Sequence, residues 1–199
     1  MKKNIYYFFA IFAMLTLFFS CKSFVQEKAD LEPDAVTGAT KVSGKKDSIS
    51  QDQVKQKVRD FLKGRRYLSL ATVDALGKPV LRSVVYVNKG DIIYFLSRKD
   101  NKVSQVAGNP NVAFNVDYYD EDWNKLQSVQ MQGMASVIED GKEKDEAMEM
   151  LLQKFKQYAA MSAGDYDSSI IRIKPVRGLF IDNPAGYGTR YEVVYDGQS

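Results

Sequence analysis

The sequence predicts a mainly β domain, a closed or partly closed β-barrel with flanking helices. Three observations point there. Short runs rich in Val, Ile, Tyr and Phe recur between turn signals from Tyr67 to Tyr195. Few segments carry helical spacing. The aromatic residues are 12 Tyr and 11 Phe against 1 Trp, a balance that leans towards strands. Many strands with few helices must deal with their edges, and closing the sheet does so.

Ser50 can cap a helix in which Val54, Val58, Phe61 and Leu62 follow at helical spacing, and Gly64 ends it. Tyr67 to Val73 reads as a strand and 74–79 as a turn. Val80 to Asn88 is the next strand, Asn88-Lys89-Gly90-Asp91 a tight turn, and Ile92 to Ser97 a third strand. Asp100 to Gly108 is a short helix closed by Asn109-Pro110. Asn111 to Tyr119 and Leu126 to Ile138 are strands. Glu143 to Ala160 has helical spacing at Ala147, Met150, Leu151, Phe155 and Tyr158. Ser169 to Lys174 and Arg177 to Asp182 read as two late strands, with Tyr191 to Tyr195 at an edge.

Composition excludes several chemistries. The chain has no His, which removes Ser-His-Asp and Cys-His pairs and any His-ligated zinc or haem. A single Cys removes an internal disulfide and a Cys-rich metal site. Redox or group-transfer chemistry must then come mostly from an organic cofactor. A net charge of +3 is too small to argue for nucleic acid.

Residues 1–20 read as an address. Lys2 and Lys3 precede an apolar run from Ile5 to Phe19, shorter than the roughly 20 residues of a membrane span. Ser20-Cys21 follows, and the pattern resembles a bacterial lipoprotein signal. That resemblance implies cleavage before Cys21, lipidation of Cys21 and an extracytoplasmic domain anchored in the cell envelope. Residues 21–50 form a polar tether, and residues 51–199 the folded domain.

Inside the tether lies Asp34-Ala35-Val36-Thr37-Gly38-Ala39-Thr40. It resembles the Asp-x-x-(Ser/Thr)-Gly-Ala-Thr signal of extracytoplasmic flavoproteins such as the sodium-pumping NADH:quinone reductases. There a flavin transferase links FMN through its phosphate to the last Thr. By that resemblance the acceptor is Thr40. Gly38 and Ala39 leave the backbone beside that hydroxyl uncrowded. A plain Asx- or Ser/Thr-type turn is the alternative.

The folded domain carries Leu70-Ala71-Thr72-Val73, Gly77-Lys78-Pro79, Leu81-Arg82-Ser83-Val84 and Tyr94-Phe95-Leu96-Ser97. Lys102-Val103, Asn109-Pro110, Gly133-Met134-Ala135 and Ile173-Lys174-Pro175 follow in order. This series resembles the FMN-binding split-barrel family, whose best-known member is pyridoxamine 5′-phosphate oxidase. The resemblance implies a homodimer with FMN at its interface. By position it places the flavin phosphate on Arg82, Ser97 and Lys102, with Arg98 as a substitute anchor. The chemistry suits that role: Arg offers a planar fork, Lys a point charge and Ser a compact donor. Ser83 is expected beside the ring, and Ser128, with Gln127 or Gln130 nearby, at a polar flavin contact. Against this stand the bland readings of a solvated Arg and Lys and of Ser97 capping a turn. Glu139 to Glu149 reads as a solvated helix face. Tyr118, Tyr119 and Trp123 read as core or dimer contacts.

Three functions remain open at this stage. One is an extracytoplasmic flavin oxidoreductase. Another is a covalently flavinylated electron carrier without its own small substrate, working with an unknown redox partner. The third is a binding module, since split barrels also host haem. Pyridoxamine 5′-phosphate oxidase itself is disfavoured. After Gly178 the chain offers Asn183-Pro184 and Arg190-Tyr191, which do not match that enzyme's C-terminal Trp and Arg-x-His contacts.

Overall fold

The computed structural model describes residues 49–98, 101–158 and 168–195. The signal segment, Cys21 and the tether with Thr40 lie outside the described residues.

The domain opens with α1, Gln51–Lys63. Ser50 Oγ accepts the N–H of Gln53, and the N–H of Ser50 donates to Gln53 Oε1, a reciprocal capping box. Val54, Val58, Phe61 and Leu62 are buried on one face of the helix. Eight strands follow: β1 (Tyr67–Val73), β2 (Pro79–Val85), β3 (Val87–Lys89), β4 (Ile92–Arg98), β5 (Asn111–Tyr118), β6 (Gln127–Ile138), β7 (Ser168–Asp182) and β8 (Arg190–Val194). Helix α2 (Asn101–Gly108) precedes β5, and α3 (Lys142–Lys154) follows β6.

The strands form one antiparallel sheet in the order β2-β1-β5-β6-β7-β4-β3, with β8 on β7. β2 ends at Val85 and β3 begins at Val87, so Tyr86 alone joins the two ends of that path. The sheet therefore curls back on itself. The single strand expected over 80–88 is divided here because its first part pairs β1 and its second pairs β4. Tyr86 fills the bend. Its ring is fully buried and its hydroxyl donates to Leu62 O at 2.8 Å.

β7 is one strand where the sequence suggested two. The ladder with β6 shifts between Gln132 and Gly133, opposite Arg177 and Pro175, which leaves Val176 unpaired with β6. Proline has no N–H to give a ladder, so a bulge accommodates it. Close approach there needs glycine: a Cβ on Gly178 would lie 2.1 Å from Gln130 O. The expected helix to Ala160 is interrupted after Lys154 and resumes at Gln157 and Tyr158, with Ala160 outside the described residues. Phe155 leaves helical geometry at φ −129° and ψ 81°, and its buried ring joins Val87, Tyr94, Leu151 and Ile170 in a second core. The main core lies between α1 and the inner face of the sheet.

Candidate functional site

The β1–β2 ladder decides where Arg82 goes. Its Cα partner is Leu70, on the side of β1 that buries Leu68, Leu70 and Thr72. Arg82 therefore faces inward, towards α2. Its Nη1 donates to Gln105 Oε1 at 2.8 Å and to Thr72 Oγ1 at 3.4 Å. The Thr72 hydroxyl donates to the same Gln105 oxygen at 2.8 Å. These acceptors are neutral and they engage one guanidinium nitrogen. Among the described residues no carboxylate pairs with Arg82.

Gln105 lies three positions after Lys102 on α2, so the two side chains share a helix face. Ser97 is buried near the end of β4, where its Oγ donates to Arg98 O at 2.9 Å. Arg82, Ser97 and Lys102 thus lie on β2, β4 and the start of α2, with Gln105 of α2 touching Arg82. Thr72 and Gln105 escaped the sequence reading. The three-residue step from Lys102 was the available signal for Gln105.

The other two expected contacts lie on the opposite face of the sheet. Side chains alternate along a strand, so Ser83 points away from Arg82 and is exposed. The register runs from Ser83 to Ser69, then Asn115, then Gln130. Ser128 is also on this face yet only 3% exposed. Its Oγ lies 2.6 Å from Asp117 Oδ1 and 3.0 Å from Asn115 Oδ1. A hydroxyl has one proton, and the carboxylate is the stronger acceptor. Asn115 Nδ2 donates to the other Asp117 oxygen. The sequence-predicted residues therefore form two groups, one on each face. Among the described residues β2 pairs only with β1, so its other edge is unpaired.

Other expected roles changed. Glu143 is not merely solvated: it accepts Arg172 Nη1 at 3.0 Å and the Tyr94 hydroxyl at 2.9 Å. Tyr119 and Trp123 are 71% and 67% exposed, so neither packs in the core of the chain. Two clefts, of about 410 and about 300 Å³, lie against α1; the larger is lined by Gln127 among the expected flavin contacts, and neither contains Arg82, Ser83, Ser97, Lys102 or Ser128.

A curled antiparallel sheet forming a half-barrel, with Arg82 on its edge strand β2, agrees with the comparisons to known proteins. The family profile described as pyridoxamine 5′-phosphate oxidase matches residues 54–182. The chain belongs to that family. It is 31% identical to general stress protein 26 of Bacillus subtilis over 108 residues, covering 54% of this chain and 76% of that one. Its fold resembles the haem storage protein HutZ of Vibrio cholerae with a TM-score of 0.55, at 19% identity over 63% of this chain and 92% of HutZ. It also resembles an FAD-binding protein of Mesorhizobium loti with a TM-score of 0.50, at 20% identity over 60% and 86% of the two chains.

Proposed function

We propose that this protein is an extracytoplasmic redox protein that binds FMN, with Arg82 holding the flavin phosphate. The observation that carries this reading is the state of Arg82. It is held by Gln105 and Thr72 through one nitrogen and faces no carboxylate among the described residues. Nε and Nη2 are left to form the planar fork that suits a phosphate. Lys102 adds a second positive charge from the same face of α2 as Gln105. The donor set fits a phosphorylated flavin better than haem, because the chain has no His to serve as an axial ligand.

Bound FMN supplies a ring that takes and gives electrons or hydride. The chain's own residues bind and orient it. Arg82, Ser97 and Lys102 anchor the phosphate end. Ser83 and the Ser128–Asn115–Asp117 cluster offer polar contacts on the outer face. A second copy docked on that face would close over the ring and exclude water, so the protein is proposed to act as a homodimer. Cys21 carries the lipid that anchors it to the envelope.

A second reading is favoured by Asp34 to Thr40. In it a flavin transferase attaches FMN to Thr40, and the protein carries electrons to a redox partner. The tether would keep the carrier at high effective concentration near the membrane. Intact mass and visible spectrum separate the two. The full chain would be expressed with and without a flavin transferase, and again with Thr40→Ala. Flavin released by denaturation and insensitive to Thr40→Ala supports the barrel-bound cofactor. A mass increase of one FMN less water, lost with Thr40→Ala, supports the carrier. A colourless protein under every condition rejects both.

A further inference from the structure

A second cationic site, sharing no residue with Arg82 and its partners, lies where α1, β3 and α3 meet. A cleft of about 300 Å³ there is lined by Lys63, Val87, Asn88, Met150, Gln153 and Lys154. Two of these residues are cations, two are amides, two are apolar and none is acidic. Lys154 is half-buried. Its ammonium donates to Arg65 O and sits 4.8 Å from the centre of the Tyr86 ring and 5.8 Å from that of Phe155. Arg66 stacks on Phe155 from nearby, at 4.8 Å. Among the described residues neither Lys63 nor Lys154 forms an ion pair. Burial, with Arg66 adding to it, pushes the Lys154 amine down to about 8.

Lys63 and Lys154 occupy the last turns of α1 and α3. Complementing the helix dipoles explains their sign. It does not explain a half-buried ammonium in a cleft whose walls lack any carboxylate. An ammonium has three donors, and Arg65 O takes one of Lys154's. Asn88 Nδ2 donates once, to Gly90 O, and Gln153 Nε2 once, to Glu149 Oε1, so each amide keeps a second N–H.

We infer that this cleft binds a small phosphate-bearing anion, held by Lys154 and Lys63 with amide donors from Asn88 and Gln153. The volume admits a phosphate with a short organic substituent. The same chemistry is offered by a soluble phosphate ester and by the headgroup of an anionic lipid. The inference does not depend on the flavin reading, because it shares no residue with Arg82 and its partners.

The test uses the full chain carrying Arg82→Ala, so that an anion at Arg82 does not contribute. Inorganic phosphate is titrated by calorimetry. The rate at which acetic anhydride acylates Lys154 is followed by peptide mass with and without phosphate. Phosphate is expected to slow acylation of Lys154 at least fivefold. Lys154→Gln should weaken binding at least tenfold, and Lys63→Gln, at an exposed position that leaves folding intact, severalfold. Vesicles of phosphatidylglycerol replace phosphate in a parallel arm, with phosphatidylcholine as the control. Stronger protection by phosphatidylglycerol at equal phosphate identifies a lipid headgroup, and stronger protection by free phosphate a soluble ligand. The inference is overturned if neither protects Lys154, or if Lys63→Gln and Lys154→Gln leave binding unchanged. It is equally overturned if phosphate binding vanishes entirely with Arg82→Ala, a result that would instead support the flavin-phosphate role of Arg82.

Discussion

Arg82 on β2 and Arg172 on β7 are both partly buried strand arginines, and the chain treats them oppositely. Arg172 uses its whole fork. Nη1 donates to both oxygens of Glu143, at 3.0 and 3.3 Å, and Nε and Nη2 donate to Ser136 Oγ at 3.2 and 3.0 Å. Tyr94 joins through its hydroxyl, and burial followed by the Glu143 contact pushes its phenol up to about 12. That network is closed and ties α3 to β4 and β7. Arg82 has only Thr72 and Gln105, both neutral, both on Nη1. A guanidinium held in place without a counter-charge is poorly used as a structural bond. It is well used as a receptor for an anion from outside the chain.

The contrast can be broken by substitution. The largest effect is expected for Arg82→Ala. Losing two charge-assisted contacts, each about 1.5–3 kcal/mol, should raise the FMN dissociation constant at least ~100-fold. Flavin fluorescence titration measures it, and the melting temperature should stay within about 2 °C of wild type. Arg172→Ala should do the reverse. Flavin affinity stays unchanged, while urea unfolding shows a loss of about 1–2 kcal/mol, tempered because both partners are partly solvated. Gln105→Leu removes the prop under Arg82 and leaves the Thr72 hydroxyl without its acceptor. It should weaken FMN about tenfold, some 1.4 kcal/mol. Tyr94→Phe deletes one contact to Glu143 and should cost about 1 kcal/mol in the same urea assay.

A third cation extends the comparison to pH. The Lys154 amine is held at about 8 in the folded chain against an ordinary value of 10.5. Between those values this amine binds more proton in the unfolded chain than in the native one, so its own contribution to stability rises with pH across the window. The amine is half-exposed, so the rise should be small, roughly 2 °C in melting temperature from pH 8 to 10. Lys154→Met should flatten it. Burial raises the phenols of Tyr86, Tyr94 and Tyr195, which lowers stability as pH approaches 10, so the readout is the difference between the two chains; no difference between wild type and Lys154→Met across the window would contradict the placement of this side chain.

Much of the barrel was legible because hydrophobic alternation and turn residues are local signals. α1 and β1 appear where their patterns put them, down to the cap at Ser50. What was not legible depends on pairing. Nothing in Val80 to Asn88 says that the strand changes partner at Tyr86. Nothing around Pro175 distinguishes a break from a bulge that keeps one strand intact. The site divides in the same way. Arg82 and Lys102 were singled out through the order of short motifs. Thr72 and Gln105 were missed because their meeting with Arg82 requires α2 to lie against β1. Strand alternation alone could have separated Ser83 from Arg82. That Ser128 sits with Asn115 and Asp117 needed the β5–β6 register.

The most direct test of a phosphate-reserved Arg82 compares FMN with riboflavin, which has the same ring and no phosphate. Wild type is expected to bind FMN more than ~100-fold more tightly than riboflavin, as losing the two charge-assisted Arg82 contacts together with those of Ser97 and Lys102 implies. Arg82→Ala should cut that preference about 100-fold, to what Ser97 and Lys102 contribute, while leaving riboflavin affinity unchanged. Equal binding of both ligands by wild type, or an equal loss of both in Arg82→Ala, would contradict the assignment of Arg82 to the flavin phosphate.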